Sequence, residues 1–356
     1  MVKKIKIPIL FLFLFPLIAL LNSCDLLLGA EPDTSPQGIL KSLWEDFNNI
    51  YAYLDIRMSH NLSYNDWYDV YHNNQNGYAR KVWASMSDDS LFSVCESMLK
   101  QLNDPHVVLH KPGDIGFSYT PGSREYASAS NIEELLLNRG KTQYYNFLYG
   151  LFKDEPNIGY INIFDFVENG EGSENNNWGK AIDNIINELA DTKAIVLDIR
   201  GNRGGHIYVL EYIAARFASE KKEYLKSSMK KGPNRNDYDS PITHINIPSH
   251  TNYTKPVILL TNMNTVSAAE RFTLALRTQK HVTHTGTPTR GALSIRVERS
   301  MVNGWIYSIS PEKITDMNGK IYEGIGISPN DEYIVEYGTN DAQIKKAVEL
   351  AVNFSE

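Results

Sequence analysis

The sequence predicts a mixed α/β fold, a largely parallel sheet covered by helices, with a helical segment in front of it. Three observations carry this expectation. Beyond residue 150, short apolar runs alternate with amphipathic stretches, the pattern of strands joined by crossover helices. Between residues 39 and 102, apolar positions recur at helical spacing. The runs at 194–197 and 257–260 are apolar without alternation, as in strands covered on both faces. With 356 residues and 42% hydrophobic content, the chain has enough material for a substantial core.

Residues 1–23 read as an export signal, because Lys3, Lys4 and Lys6 precede an apolar run from Ile7 to Leu21. The run is short for a membrane span and is interrupted by Pro8 and Pro16. It ends in Leu21-Asn22-Ser23-Cys24, which resembles the lipobox of bacterial lipoproteins. That resemblance implies a diacylated Cys24 at the mature N-terminus and a protein held to a membrane of the cell envelope. Residues 24–37, with Pro32 and Pro36, form the expected tether.

Residues 38–112 are expected to be helical: Leu40, Leu43, Phe47 and Ile50 share one face, and Leu91, Cys95, Met98 and Leu102 share another. Trp67, Tyr68 and Tyr71 lie between them and are expected to pack within this unit. The second part opens with a strand at 158–166. A helix through Trp178, Ile182, Ile185, Ile186 and Leu189 leads to the strand at 194–197. Then follow a helix at 206–218, a strand at 256–260, a helix at 267–280 and strands near 281–285 and 293–298.

The net charge of −7 supplies no basic field for a nucleic-acid partner. Two cysteines are too few for a disulfide framework. No His/Cys/Asp spacing suggests a metal, and no cofactor is expected.

Chemistry concentrates in loops after the strands, where sites form in such sheets. Asp198-Ile199-Arg200-Gly201-Asn202-Arg203-Gly204-Gly205 follows one buried strand and precedes a helix. Its free N–H groups suit an oxyanion, and it reads equally as a tight structural turn. Ser267 opens the helix after the next strand, where the helix dipole favours an attacking alkoxide. Taken alone, Ser267 with Glu270 three residues on reads more readily as a capping box. A serine nucleophile needs a base. His106, in Asn103-Asp104-Pro105-His106, and His206 are candidates, and Glu323 is a candidate to orient the histidine.

Together these segments resemble the tail-specific, or C-terminal processing, serine peptidases and the related tricorn core. The matching motifs are D-x-R-x-N-x-G-G at 198–205, T-x-S-A-A-E at 265–270, G-T-P-T-R-G at 286–291 and E-G-I-G-I-S-P at 323–329. The resemblance implies a ClpP- or crotonase-like catalytic domain at 113–352 that hydrolyses peptide bonds through an acyl-enzyme. It makes Ser267 the nucleophile and assigns the oxyanion to the amides of Ala268 and of Gly204 or Gly205. Ala292 stands where one branch of the family carries its lysine base, so the resemblance points to the tricorn-like branch, with His106 as base and Glu323 as its partner. Pro105 replaces the serine that precedes that histidine in tricorn. Residues 113–150 are too few for the PDZ domain of many relatives, so none is expected. Peptides or proteins are the implied substrates, and family members assemble, although no interface is legible here. The rival reading is a binding lipoprotein that keeps the fold without catalysis.

Overall fold

The computed structural model describes residues 32–113, 132–143, 146–168, 178–336 and 341–355. Cys24 lies outside them, as does much of the stretch considered for a PDZ domain.

The N-terminal part is helical. Helix α1 (Pro36–Ile50) begins with Pro36 in its first turn, and the Ser35 side chain accepts the Gly38 N–H at 3.1 Å, a local start signal. Two short helices follow, α2 (Leu54–Met58) and α3 (Trp67–His72), and then α4 (Asp88–Leu99), capped by Ser87 with Asp88 and Asp89 in its first turn. Their inward faces, including Leu43, Phe47, Trp67, Cys95 and Met98, form one core together with Trp305, Tyr307 and Ile309 from late in the chain. The join is covalently remote but physically continuous. Strand β1 (Leu109–His110) pairs antiparallel with β11 (Ile306–Ile309), which pairs in turn with β10 (Val297–Ser300).

The second part is built on six strands in the order β2-β3-β4-β5-β8-β9. These are β2 (Lys141–Gln143), β3 (Phe147–Leu151), β4 (Ile158–Ile163), β5 (Ala194–Asp198), β8 (Val257–Thr261) and β9 (Val282–Gly286). The last four run parallel, and β2 and β3 add an antiparallel edge. Alternate residues serve two cores. Ile195, Leu197, Val257 and Leu259 pack under α5 (Trp178–Glu188), α6 (Ile207–Ala214) and α7 (Ala268–Arg277). Ala194, Val196, Ile258 and Leu260 face α8 (Ala342–Ser355) on the other side. Burial on both faces explains the unbroken apolar runs. A separate antiparallel sheet, β12-β6-β7, consists of β12 (Glu312–Thr315), β6 (Lys222–Met229) and β7 (Ile242–Asn246).

The mixed α/β expectation therefore holds, but the strand expected at 293–298 starts only at Val297. The Leu293 and Ile295 N–H groups turn away to Glu323 Oε2 and Glu312 Oε2, so they are unavailable to a ladder. No helix among the described residues is long and apolar enough to cross a membrane.

Candidate active site

The parallel strands β5 and β8 deliver two turns side by side. From the first, the Asn202 carbonyl accepts the Val266 N–H at 3.0 Å, and the Ile199 carbonyl accepts the Thr265 hydroxyl at 2.9 Å. The second turn ends at Ser267, whose φ of 62° and ψ of −124° are unusual for a residue with a Cβ. Such a conformation costs about 1–3 kcal/mol and persists only where the surroundings impose it. Here the Ser267 N–H is held by the Ala292 carbonyl and by Glu270 Oε2, each at 3.1 Å.

Gly204 explains why the first turn needs glycine. At φ +90°, a Cβ there would lie 2.8 Å from both Ser267 Cβ and Ala268 N, so only a bare backbone can approach Ser267 this closely. The Gly204 N–H itself is committed, donating to Asn202 Oδ1 at 2.8 Å. Among the described residues, the Gly205 and Ala268 N–H groups donate to no protein acceptor. Of the amides expected to face an oxyanion, these two are free to do so.

Glu270 does more than cap a helix. Fully buried, it accepts the Thr289 hydroxyl and the Gly291 N–H at 2.6 Å and the Ala292 N–H at 2.8 Å, besides that of Ser267. Burial pushes its carboxyl upward despite these donors. The side chain thereby fastens the G-T-P-T-R-G segment to the Ser267 turn.

His106 sits in a turn after α4, where Asp104 Oδ1 accepts its backbone N–H at 2.8 Å. The Ser308 hydroxyl donates to the His106 carbonyl at 2.6 Å, tying the turn to β11. The ring is buried, with Nδ1 lacking a protein partner. Burial holds its pKa below the ordinary value, and Asp104 partly opposes that shift.

Glu323 enters the same region but does not bond to His106. Its Oε1 pairs with Arg57 Nη2 at 2.5 Å, and Oε2 accepts the Leu293 N–H at 3.0 Å. Burial and the neighbouring Asp104 push its pKa up to about 8, against the pull of Arg57. Arg57 was absent from the sequence reading. Besides Glu323, its guanidinium reaches the carbonyls of Asn103 at 3.0 Å and Gly291 at 3.1 Å and lies 3.8 Å from Asp104 Oδ1. A cation thus stands beside Ala292, but arginine cannot serve as a base.

The His106 and Ser267 turns are linked through Asp104, Arg57 and the Gly291-Ala292 backbone. Among the described residues no hydrogen bond joins the two side chains, a common state of unliganded sites. His206 is exposed at the start of α6 and stacked on Tyr208, and among the described residues its side chain makes no hydrogen bond to this network. A cleft of about 780 Å³ between α2 and the 230–238 loop touches the network at Tyr51, whose hydroxyl donates to Asp104 Oδ2, and none of Ser267, His106 or Glu323 lines it.

Residues 157–333 match the peptidase family S41, a stretch that includes Ser267 and Glu323 and excludes His106. The carboxy-terminal processing protease CtpB of Bacillus subtilis is 26% identical over 172 residues, which span 48% of this chain and 33% of that protein. This chain therefore corresponds to about a third of that relative. A crystal structure of a provisionally named peptidase from Parabacteroides merdae superposes with a TM-score of 0.75 at 26% identity, covering 91% of this chain and 97% of the other. A photosystem II D1 C-terminal processing protease shares the fold, with a TM-score of 0.54 at 16% identity over 85% of this chain and 94% of that one. Residues 157–333 of this chain thus carry a domain of peptidase family S41.

Proposed function

We propose that this protein is a serine endopeptidase of the cell envelope, anchored at Cys24, that cleaves peptides or proteins through an acyl-enzyme at Ser267. The observation that carries the reading is the strained Ser267 at a helix start, with the free amides of Gly205 and Ala268 beside it. Ser267 Oγ attacks the scissile carbonyl, the oxyanion settles between those amides, and His106 takes the hydroxyl proton and later returns it to the leaving amine. Glu323 supports the cluster behind the imidazole by holding Arg57 through its Oε1. The envelope location and the anchor are supported by the lysine-led apolar run and by Ser23-Cys24. The rival binding-lipoprotein reading gives no reason for a strained serine. The test is covalent labelling with a fluorophosphonate probe, located by mass spectrometry. Labelling at Ser267 is expected, and an inert folded protein would return the rival.

A further inference from the structure

We infer that Asp104 is the positioning residue of His106, the fixed anion against which the imidazole takes up its proton, and that Arg57 holds Glu323 apart from the ring. The inference rests on the serine peptidase reading above. The reaction it concerns is a proton transfer: as Ser267 Oγ bonds to the electrophile, its O–H bond breaks and the proton passes to a nitrogen of neutral His106, leaving an imidazolium.

An imidazolium inside a protein needs a nearby negative charge that does not have to reorganise. Two carboxylates are candidates, and their hydrogen bonds separate them. Glu323 is held by groups outside the His106 turn, the Arg57 guanidinium at 2.5 Å and the Leu293 N–H at 3.0 Å. Asp104 is gripped by groups that belong to the His106 turn and its supports. Tyr51 donates to Oδ2 at 2.6 Å, Ser310 donates to Oδ2 at 3.0 Å, and the His106 backbone N–H donates to Oδ1 at 2.8 Å. A buried carboxylate with three donors is both immobile and committed to its charged form. With His106 Nδ1 buried and unpaired, its stabilisation comes through space, and Asp104 is the anion fixed to its own turn.

The other charges near the ring have the opposite sign. Arg57 from α2, Arg271 from α7 and Arg296 ahead of β10 all disfavour the imidazolium, whereas Asp104 favours it. Glu323, in the turn at 322–326, has its Oε1 directed at Arg57. Arg57 also lies 3.8 Å from Asp104 Oδ1, so one guanidinium serves both carboxylates and lets them coexist in a buried cluster.

The test uses the full-length protein and needs no natural substrate. The second-order rate of Ser267 labelling by a fluorophosphonate probe is measured against pH for wild type, Asp104→Asn, the double variant Tyr51→Phe/Ser310→Ala and Glu323→Gln. In Asp104→Asn, three arginines face the ring without their opponent, so the acid limb should move to lower pH. The plateau rate should fall by about tenfold to hundredfold. Glu323→Gln should move the limb less. The double variant keeps the charge and loosens its grip, so it should label more slowly with a smaller shift in the same direction. It also covers the case in which Asp104→Asn fails to fold. A folded Asp104→Asn that retains the wild-type limb overturns the proposal, as does a double variant matching wild type in both limb and rate. Unlabelled wild type removes the peptidase reading itself, an outcome distinct from a labelled wild type whose limb ignores Asp104.

Discussion

At the scale of single residues, the proposed nucleophile and the proposed base are separable by experiment. Ser267→Ala should abolish labelling while shifting the melting temperature little, because its N–H bonds to Ala292 and Glu270 remain. Circular dichroism and mass spectrometry check both parts. His106→Ala should slow labelling by about 10³-fold or more, as loss of a triad member does. Because burial holds the His106 pKa below the ordinary value, its neutral, base-competent form persists to lower pH. The acid limb of the wild-type rate should therefore fall below about pH 6.5. A lysine base would place it far higher. Ser267 and His106 were legible because each sits in a contiguous motif beside recognisable turn residues. Arg57 was not, since its side-chain partners lie 46 residues away at Asn103 and 266 away at Glu323, and one arginine in a short helix carries no local signal. Asp104, two residues before His106, did offer one, the side-chain-to-backbone turn typical of aspartate.

At the scale of elements, the D-x-R motif proves to have two separate duties. Its glycines shape the turn against Ser267, while Arg200 reaches backward to Asp198 and across to Asp341 and Gln343 at the start of α8. The guanidinium is almost fully buried, so Arg200→Leu leaves two carboxylates unpaired and should cost about 3–5 kcal/mol. Hydrogen exchange should show α8 opening first. Gly204→Ala tests the other duty. The added Cβ would press on Ser267 and Ala268 backbone and side-chain atoms that cannot yield, so labelling should be lost in a protein that keeps its secondary structure. The parallel strands were legible because burial on both faces leaves a plain apolar run. The hairpin of β6 and β7 was not, because Lys222, Glu223 and Lys226 interleave with buried residues and a register shift between Glu223 and Leu225 blurs the alternation.

At the scale of the whole molecule, the sequence suggested a helical unit followed by a catalytic unit, and their seam is more intimate than that division implies. The helices finish their core with Trp305, Tyr307 and Ile309. Cys24, the proposed anchor, lies outside the described residues and is tested separately. Cys24→Ser should move the protein from the membrane fraction to the soluble one after a high-salt wash, without altering its labelling rate.

The pairing of β1 with β11 has a consequence in time. Ser308 closes on His106 across 202 residues of chain, a far longer reach than any pairing within the parallel sheet. Contacts of such long range form slowly, because loop closure must precede any gain from them. The parallel strands with α5, α6 and α7 can condense earlier from nearer neighbours. Ser267 would thus be in place before His106 is, and the chain would remain chemically harmless to itself and to others until that last closure. In a refolding experiment, competence to react with the probe should lag behind the recovery of helical and sheet signals.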